Sequence, residues 1–124
     1  MGMDLYAENI IEHSKNPHNR GKLENPDLVV KEDNPLCGDE IILELKVKDA
    51  KISEIAFYGN GCAISQASAS MLTDLVKGKE LKQVRLISKE EVLKMVGVPL
   101  SPSRVKCGLL CYGALKIAME NVNQ

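Results

Sequence analysis

The chain has 124 residues, sixteen basic and seventeen acidic side chains for a net charge of −1, and four aromatic residues with no tryptophan. A charge so near zero lacks the electrostatic footprint of a nucleic-acid binder, and so few rings offer no platform for stacking bases. No apolar run reaches the length of a membrane span or a signal-peptide core, and Tyr6 stands where a myristoylation motif needs Ser or Thr, so a cytoplasmic protein with no membrane partner is expected.

The length suits one domain over 1–124 that buries about two thirds of the surface its unfolded chain exposes. The stretch DLYAENIIEHSKN sets Leu5, Tyr6, Asn9, Ile10 and His13 on one helical stripe, and Pro17 stops it. NPHNRGKLENPD reads as loop, followed by a short strand over 28–31. From Ile41 the period changes to two. Ile41, Leu43, Leu45 and Val47 alternate with Ile42, Glu44, Lys46 and Lys48, which predicts a strand with one buried face. KDAK makes a turn, and ISEIAFYG completes a hairpin.

Glycines in GNGCAISQASASML end that strand and open a helix over 63–77, capped by Gly78. Its first half is Ala and Ser, small enough for close packing. KGKELK reads as a solvated face. Ser88 and Glu91 form a capping box for a short helix ending near Gly97. RVKCGLLCYGALKIAMENV predicts one last helix with Leu110, Ala114, Ile117 and Ala118 inward. Strands early and helices late give an α+β class: a small antiparallel sheet of about three strands with several helices on one face.

Four cysteines remain: Cys37, Cys62, Cys107 and Cys111. Without an extracellular address a disulfide framework is a poor reading, which leaves metal binding or thiol chemistry against buried, inert cysteine. Cys37 lies in the Pro/Gly loop NPLCGDE, with Asp39 two residues on. Cys62 marks the strand-to-helix junction, and Cys107 is expected near the start of the last helix. A thiol in a helix's first turn meets unsatisfied N–H groups that favour the thiolate, and Arg104 and Lys106 add positive charge beside Cys107. Cys37, Asp39, Cys62 and Cys107 thus make a four-coordinate set. Tetrahedral zinc accepts it. An iron–sulfur cluster also accepts it, with the carboxylate as a weaker, exchangeable corner. Cys111, four residues after Cys107, reads as core cysteine, with an alternative ligand or a sulfur relay as the other possibility. His13 and His18 read as surface or partner-contact residues.

NPLCGD, GNGCAISQASASML and RVKCGLLCYGAL resemble the three signature segments of the iron–sulfur cluster assembly scaffold family, which groups IscU, the N-terminal domain of NifU and the related SufU. The resemblance covers nearly the whole chain. It implies a three-stranded sheet with helices on one face, and a scaffold rather than an enzyme. In that reading a cysteine desulfurase delivers sulfur and iron is bound. A 2Fe–2S cluster forms on Cys37, Asp39, Cys62 and Cys107 and passes to acceptor apo-proteins. Cys107, or alternatively Cys37, accepts the persulfide sulfur, and a homo-oligomer in the cluster-bound state is compatible with this. Two departures stand out. Lys106 occupies the position where IscU-type scaffolds carry His, and LSPSRVK replaces the Leu-Pro-Pro-Val-Lys stretch read by a dedicated chaperone. Lysine there resembles SufU, whose members hold zinc and accept sulfur, although SufU has an insertion for which the 44 residues between Cys62 and Cys107 leave no room. A zinc-stabilised binding module without sulfur chemistry is the remaining alternative.

Overall fold

The computed structural model describes residues 2–35, 38–97 and 99–122. The period-two stretch forms β2 (Asp39–Lys48), the centre of a three-stranded antiparallel sheet between β1 (Leu28–Asn34) and β3 (Lys51–Tyr58). Ile41, Leu43 and Leu45 are each at most 1% exposed and share the inner face with Ile52, Ile55 and Phe57. Between β2 and β3 the turn residues Asp49 and Ala50 both take positive φ, 54° and 60°, the left-handed pair that matches the twist of a tight hairpin. Glu44 is buried on the other face, where Oε1 accepts the backbone N–H of Leu23 at 2.8 Å.

Among the described residues there are also six helices: α1 (Gly2–Lys15), α2 (Ala63–Val76), α3 (Leu81–Arg85), α4 (Lys89–Val96), α5 (Pro102–Gly108) and α6 (Leu110–Asn121). The Ala/Ser composition makes α2 the hub. Ser65, Ala67, Ser68, Ala69 and Ser70 are all buried, and α1, α4, α5 and α6 pack around it. Their hydroxyls stay satisfied, as burial requires: Ser65 donates to Cys62 O and Ser68 to Gly108 O. Through Ala114 and Ala118, each 0% exposed, α6 lies across β1 and β2. No helix among the described residues is long and apolar enough to cross a membrane.

The fold class is as expected, and several local details differ. The final helix is two helices. Ser68 Oγ takes the Gly108 carbonyl at 2.6 Å, and the Leu109 N–H is shared between Val105 O at 3.0 Å and Lys106 O at 3.3 Å. The chain turns at Leu109 and restarts as α6. Cys107 therefore sits in the last turn of α5, not at the start of a long helix, and the helix-start argument for its thiolate does not apply. Ile117 is 37% exposed rather than inward. KGKELK is not wholly solvated, because Leu81 enters the core and starts α3 behind a capping box of Glu80 and Gln83. Ser88 does cap α4, accepting the Glu91 N–H at 3.1 Å, and Gly97 closes that helix at φ 80°.

Candidate metal centre

Three segments meet at one end of the sheet: the start of β2, the N-terminus of α2 and the last turn of α5. Asp39, the first residue of β2, is 5% exposed. The preceding loop is closed by Gly38, whose N–H reaches Asn34 O at 2.8 Å with φ at 74°, a conformation that glycine adopts freely. Cys37, the first expected ligand, lies outside the described residues.

Cys62 is the N-cap of α2, partly exposed, and contributes no side-chain cap. Its place is set by the GNG turn before it. A Cβ on Gly59, whose φ is 133°, would stand 2.2 Å from Glu40 O, and one on Gly61 would stand 2.1 Å from Ser65 Oγ. Only glycine lets the turn lie this close to β2, where the Glu40 N–H donates to Asn60 O at 2.7 Å. Arg20 holds the turn from the other side. Its Nη2 donates to Gly59 O at 3.1 Å, and its Nη1 donates to Gln66 Oε1 on α2. Sequence reading missed Arg20, because a surface arginine in a Pro/Asn loop carries no signal of the backbone it will clamp.

Cys107 is 2% exposed, and the Ser68–Gly108 hydrogen bond anchors the turn that carries it. Ligand atoms of Asp39, Cys62 and Cys107 all lie within 4.8 Å of one another, and Asp39 Oδ1 accepts the Cys62 N–H at 3.3 Å. Donors sharing one tetrahedral ion stand about 3.5 Å apart, so a small closure suffices to bring these three onto a metal. Two sulfurs and an oxygen suit zinc or iron.

Lys106 and Arg104 are exposed. Lys106 lines a cleft with Glu32, Asp33 and Asn34, and among the described residues no ion pair joins it to Asp39. Cys111 is 1% exposed within the main core, and burial pushes its thiol up to about 12. It lies on α6, apart from the helix of Cys107, and belongs to the packing. His13 and His18 are more than surface residues: His13 Nδ1 meets Ser70 Oγ at 2.7 Å and His18 Nδ1 meets Asp74 Oδ2 at 2.5 Å, both on α2.

The chain belongs to the family of the NifU-like N terminal domain, whose model matches residues 5–124. It is 39% identical to an iron–sulfur cluster assembly scaffold protein IscU of Streptococcus pyogenes, over 94% of this chain and 83% of that one. It is 36% identical to the zinc-dependent sulfurtransferase SufU of Bacillus subtilis, over 90% of this chain and 87% of that one. The fold matches a crystal structure from Fervidobacterium islandicum, described as a candidate iron–sulfur cluster assembly scaffold for the SUF system, with TM-score 0.77 and 31% identity over 96% of this chain and 99% of that one.

Proposed function

We propose that residues 1–124 act as one cytoplasmic scaffold unit for iron–sulfur cluster assembly. The observation that carries this reading is the gathering of Asp39, Cys62 and Cys107 within 4.8 Å, at the end of a fold shared with proteins named as such scaffolds. Cys37, two residues before Asp39 in sequence, supplies the fourth ligand in this reading. The cargo is a 2Fe–2S cluster, built with sulfur from a cysteine desulfurase and passed to acceptor apo-proteins.

The sulfur step is a thiol exchange. A thiolate of this chain attacks the outer sulfur of the donor's persulfide. One S–S bond forms on this chain, the donor's S–S bond breaks, and the donor leaves as thiolate. Cys107 is the acceptor in this reading, with Cys37 the alternative. Since Cys107 is 2% exposed, acceptance there requires the last turn of α5 to open. Asp39 is the hard ligand among soft ones and the corner that exchanges first.

A SufU-like reading is favoured by the 36% identity to a zinc-dependent sulfurtransferase and by Lys106 before Cys107. There zinc is resident on the same four residues and sulfur alone is relayed. Length does not separate the two. The alignments to the Streptococcus and Bacillus relatives run over 133 and 129 positions, while covering 94% and 90% of 124 residues, so both relatives carry residues that this chain lacks. Metal and acid-labile sulfide analysis of anaerobically purified protein decides. Equal iron and sulfide support the scaffold, one zinc without sulfide supports the sulfur acceptor, and neither metal on the unmodified chain overturns both.

A further inference from the structure

We propose that His13, His18 and Asp74 form a second divalent transition-metal site, independent of the thiols, that pins α1 and its following loop to α2. The chain has two histidines, and both converge on one carboxylate. One nitrogen of each imidazole and one Asp74 oxygen all lie within 4.8 Å of one another. The three come from three places: the last turn of α1, the loop after it, and α2.

Asp74 lies twelve residues beyond Cys62 along α2. At the rise of an α-helix that is about 18 Å, so one ion cannot serve both clusters.

Neighbouring groups hold the three side chains in place, and an ion would replace the direct His18 Nδ1–Asp74 Oδ2 contact of 2.5 Å. Asn19 Nδ2 donates to Asp74 Oδ1 at 2.9 Å, which leaves Oδ2 turned to His18. Ser70 Oγ engages His13 Nδ1 at 2.7 Å and accepts the His18 backbone N–H at 2.7 Å, fixing both the ring and the loop. Such outer contacts hold ligands in place and raise affinity. The imidazole rings stand 4.6 Å apart, centroid to centroid, and are tilted by 52°. The His18 and Asp74 side chains are 49% and 44% exposed, so an ion and its completing waters reach them from solvent.

Two imidazoles and a carboxylate with open positions suit zinc or another late first-row divalent ion, and suit calcium poorly. An ion held by both elements at once favours the folded state and so strengthens the α1–α2 contact, where Ile10 packs against Ala67 and Met71.

The test is zinc titration of the whole, untagged chain with a chelator as competitor, repeated with cobalt. We expect a second equivalent that His18→Ala and Asp74→Asn each weaken at least about tenfold, as loss of one of three protein ligands should, while the first equivalent is kept. The second cobalt equivalent should lack thiolate charge-transfer absorption. Because the chain has only two histidines, their ring NMR signals report directly, even where a variant folds poorly. Both should shift together with the second equivalent. If neither ring signal moves in the unmodified chain up to saturating zinc, or if both variants keep the second equivalent unweakened, the site does not exist.

Discussion

The backbone N–H of Cys62 donates to Asp39 Oδ1 at 3.3 Å across 23 positions of sequence. The same carboxylate that is proposed as the exchangeable ligand therefore also tethers the turn that delivers a thiol. Ligand and scaffold roles are joined in one side chain, so substitutions at the site act through both.

Asp39→Ala should still accept a cluster through three cysteines but release it more slowly, because the hard corner through which acceptor ligands enter is gone. The loss of the Cys62 tether should also lower the yield of loaded protein. Transfer to an apo-ferredoxin, followed by circular dichroism, measures the rate. An unmodified rate would remove Asp39 from the exchange step.

Gly59→Ala places a Cβ 2.2 Å from Glu40 O at φ 133°, a clash with backbone in a conformation that L residues rarely adopt. The expected cost is about 3 kcal/mol of stability together with weakened metal binding, since the GNG turn must leave β2. Urea unfolding and zinc competition on the same sample check both. A variant with unmodified stability would contradict the close approach.

Cys107→Ser and Cys111→Ala should part company. Serine offers a hard and far less acidic oxygen at Cys107, so metal or cluster binding should fall severely. Cys111→Ala removes one buried sulfur from the core and should cost about 1 kcal/mol while binding persists. With its thiol pushed up to about 12 and 1% exposed, Cys111 should also resist iodoacetamide at pH 8 in the folded chain. Equal loss of cluster yield in the two variants would overturn the assignment.

Persulfide mapping after incubation with a cysteine desulfurase and cysteine should find the extra sulfur on Cys107, or on Cys37 in the SufU-like mode. Mass spectrometry of the digested protein locates it. Sulfur on neither residue counts against both modes.

Acid should weaken the chelator-treated protein in two stages. Burial and His18 set His13 below its ordinary 6.5, so the unfolded chain binds its proton more tightly, and stability falls as pH drops below about 6.5. Burial pushes the Asp74 carboxyl up, but hydrogen bonds from His18 and Asn19 outweigh it and leave the group below 3.8. Its contribution is present above 3.8 and is lost as pH falls through the lower folded value. Urea midpoints at pH 7.5 and 5.5 should differ, and His13→Gln should reduce the difference. An equal difference in that variant would relieve His13 of the first stage.

Much of this protein is local and so was readable in order along the chain. The alternation from Ile41 to Leu45 needs only the two-residue period of a strand, and Ser88 needs only Glu91 one turn ahead to start α4. Glycine and proline beside the thiols and Asp39 marked ligand candidates in the sequence, and the structure brings Asp39, Cys62 and Cys107 together. What tertiary structure decided depends on partners far away in sequence. The break at Leu109 follows from Ser68, forty positions earlier, capturing the Gly108 carbonyl. Arg20 gains its role from Gly59 and Gln66, and His13 and His18 gain their contacts from Ser70 and Asp74 respectively. Leu81 in a charged stretch and Ile117 in an apolar one were misplaced for the same reason: local pattern gives a side chain's direction relative to its own element, while burial depends on which neighbour arrives to cover it.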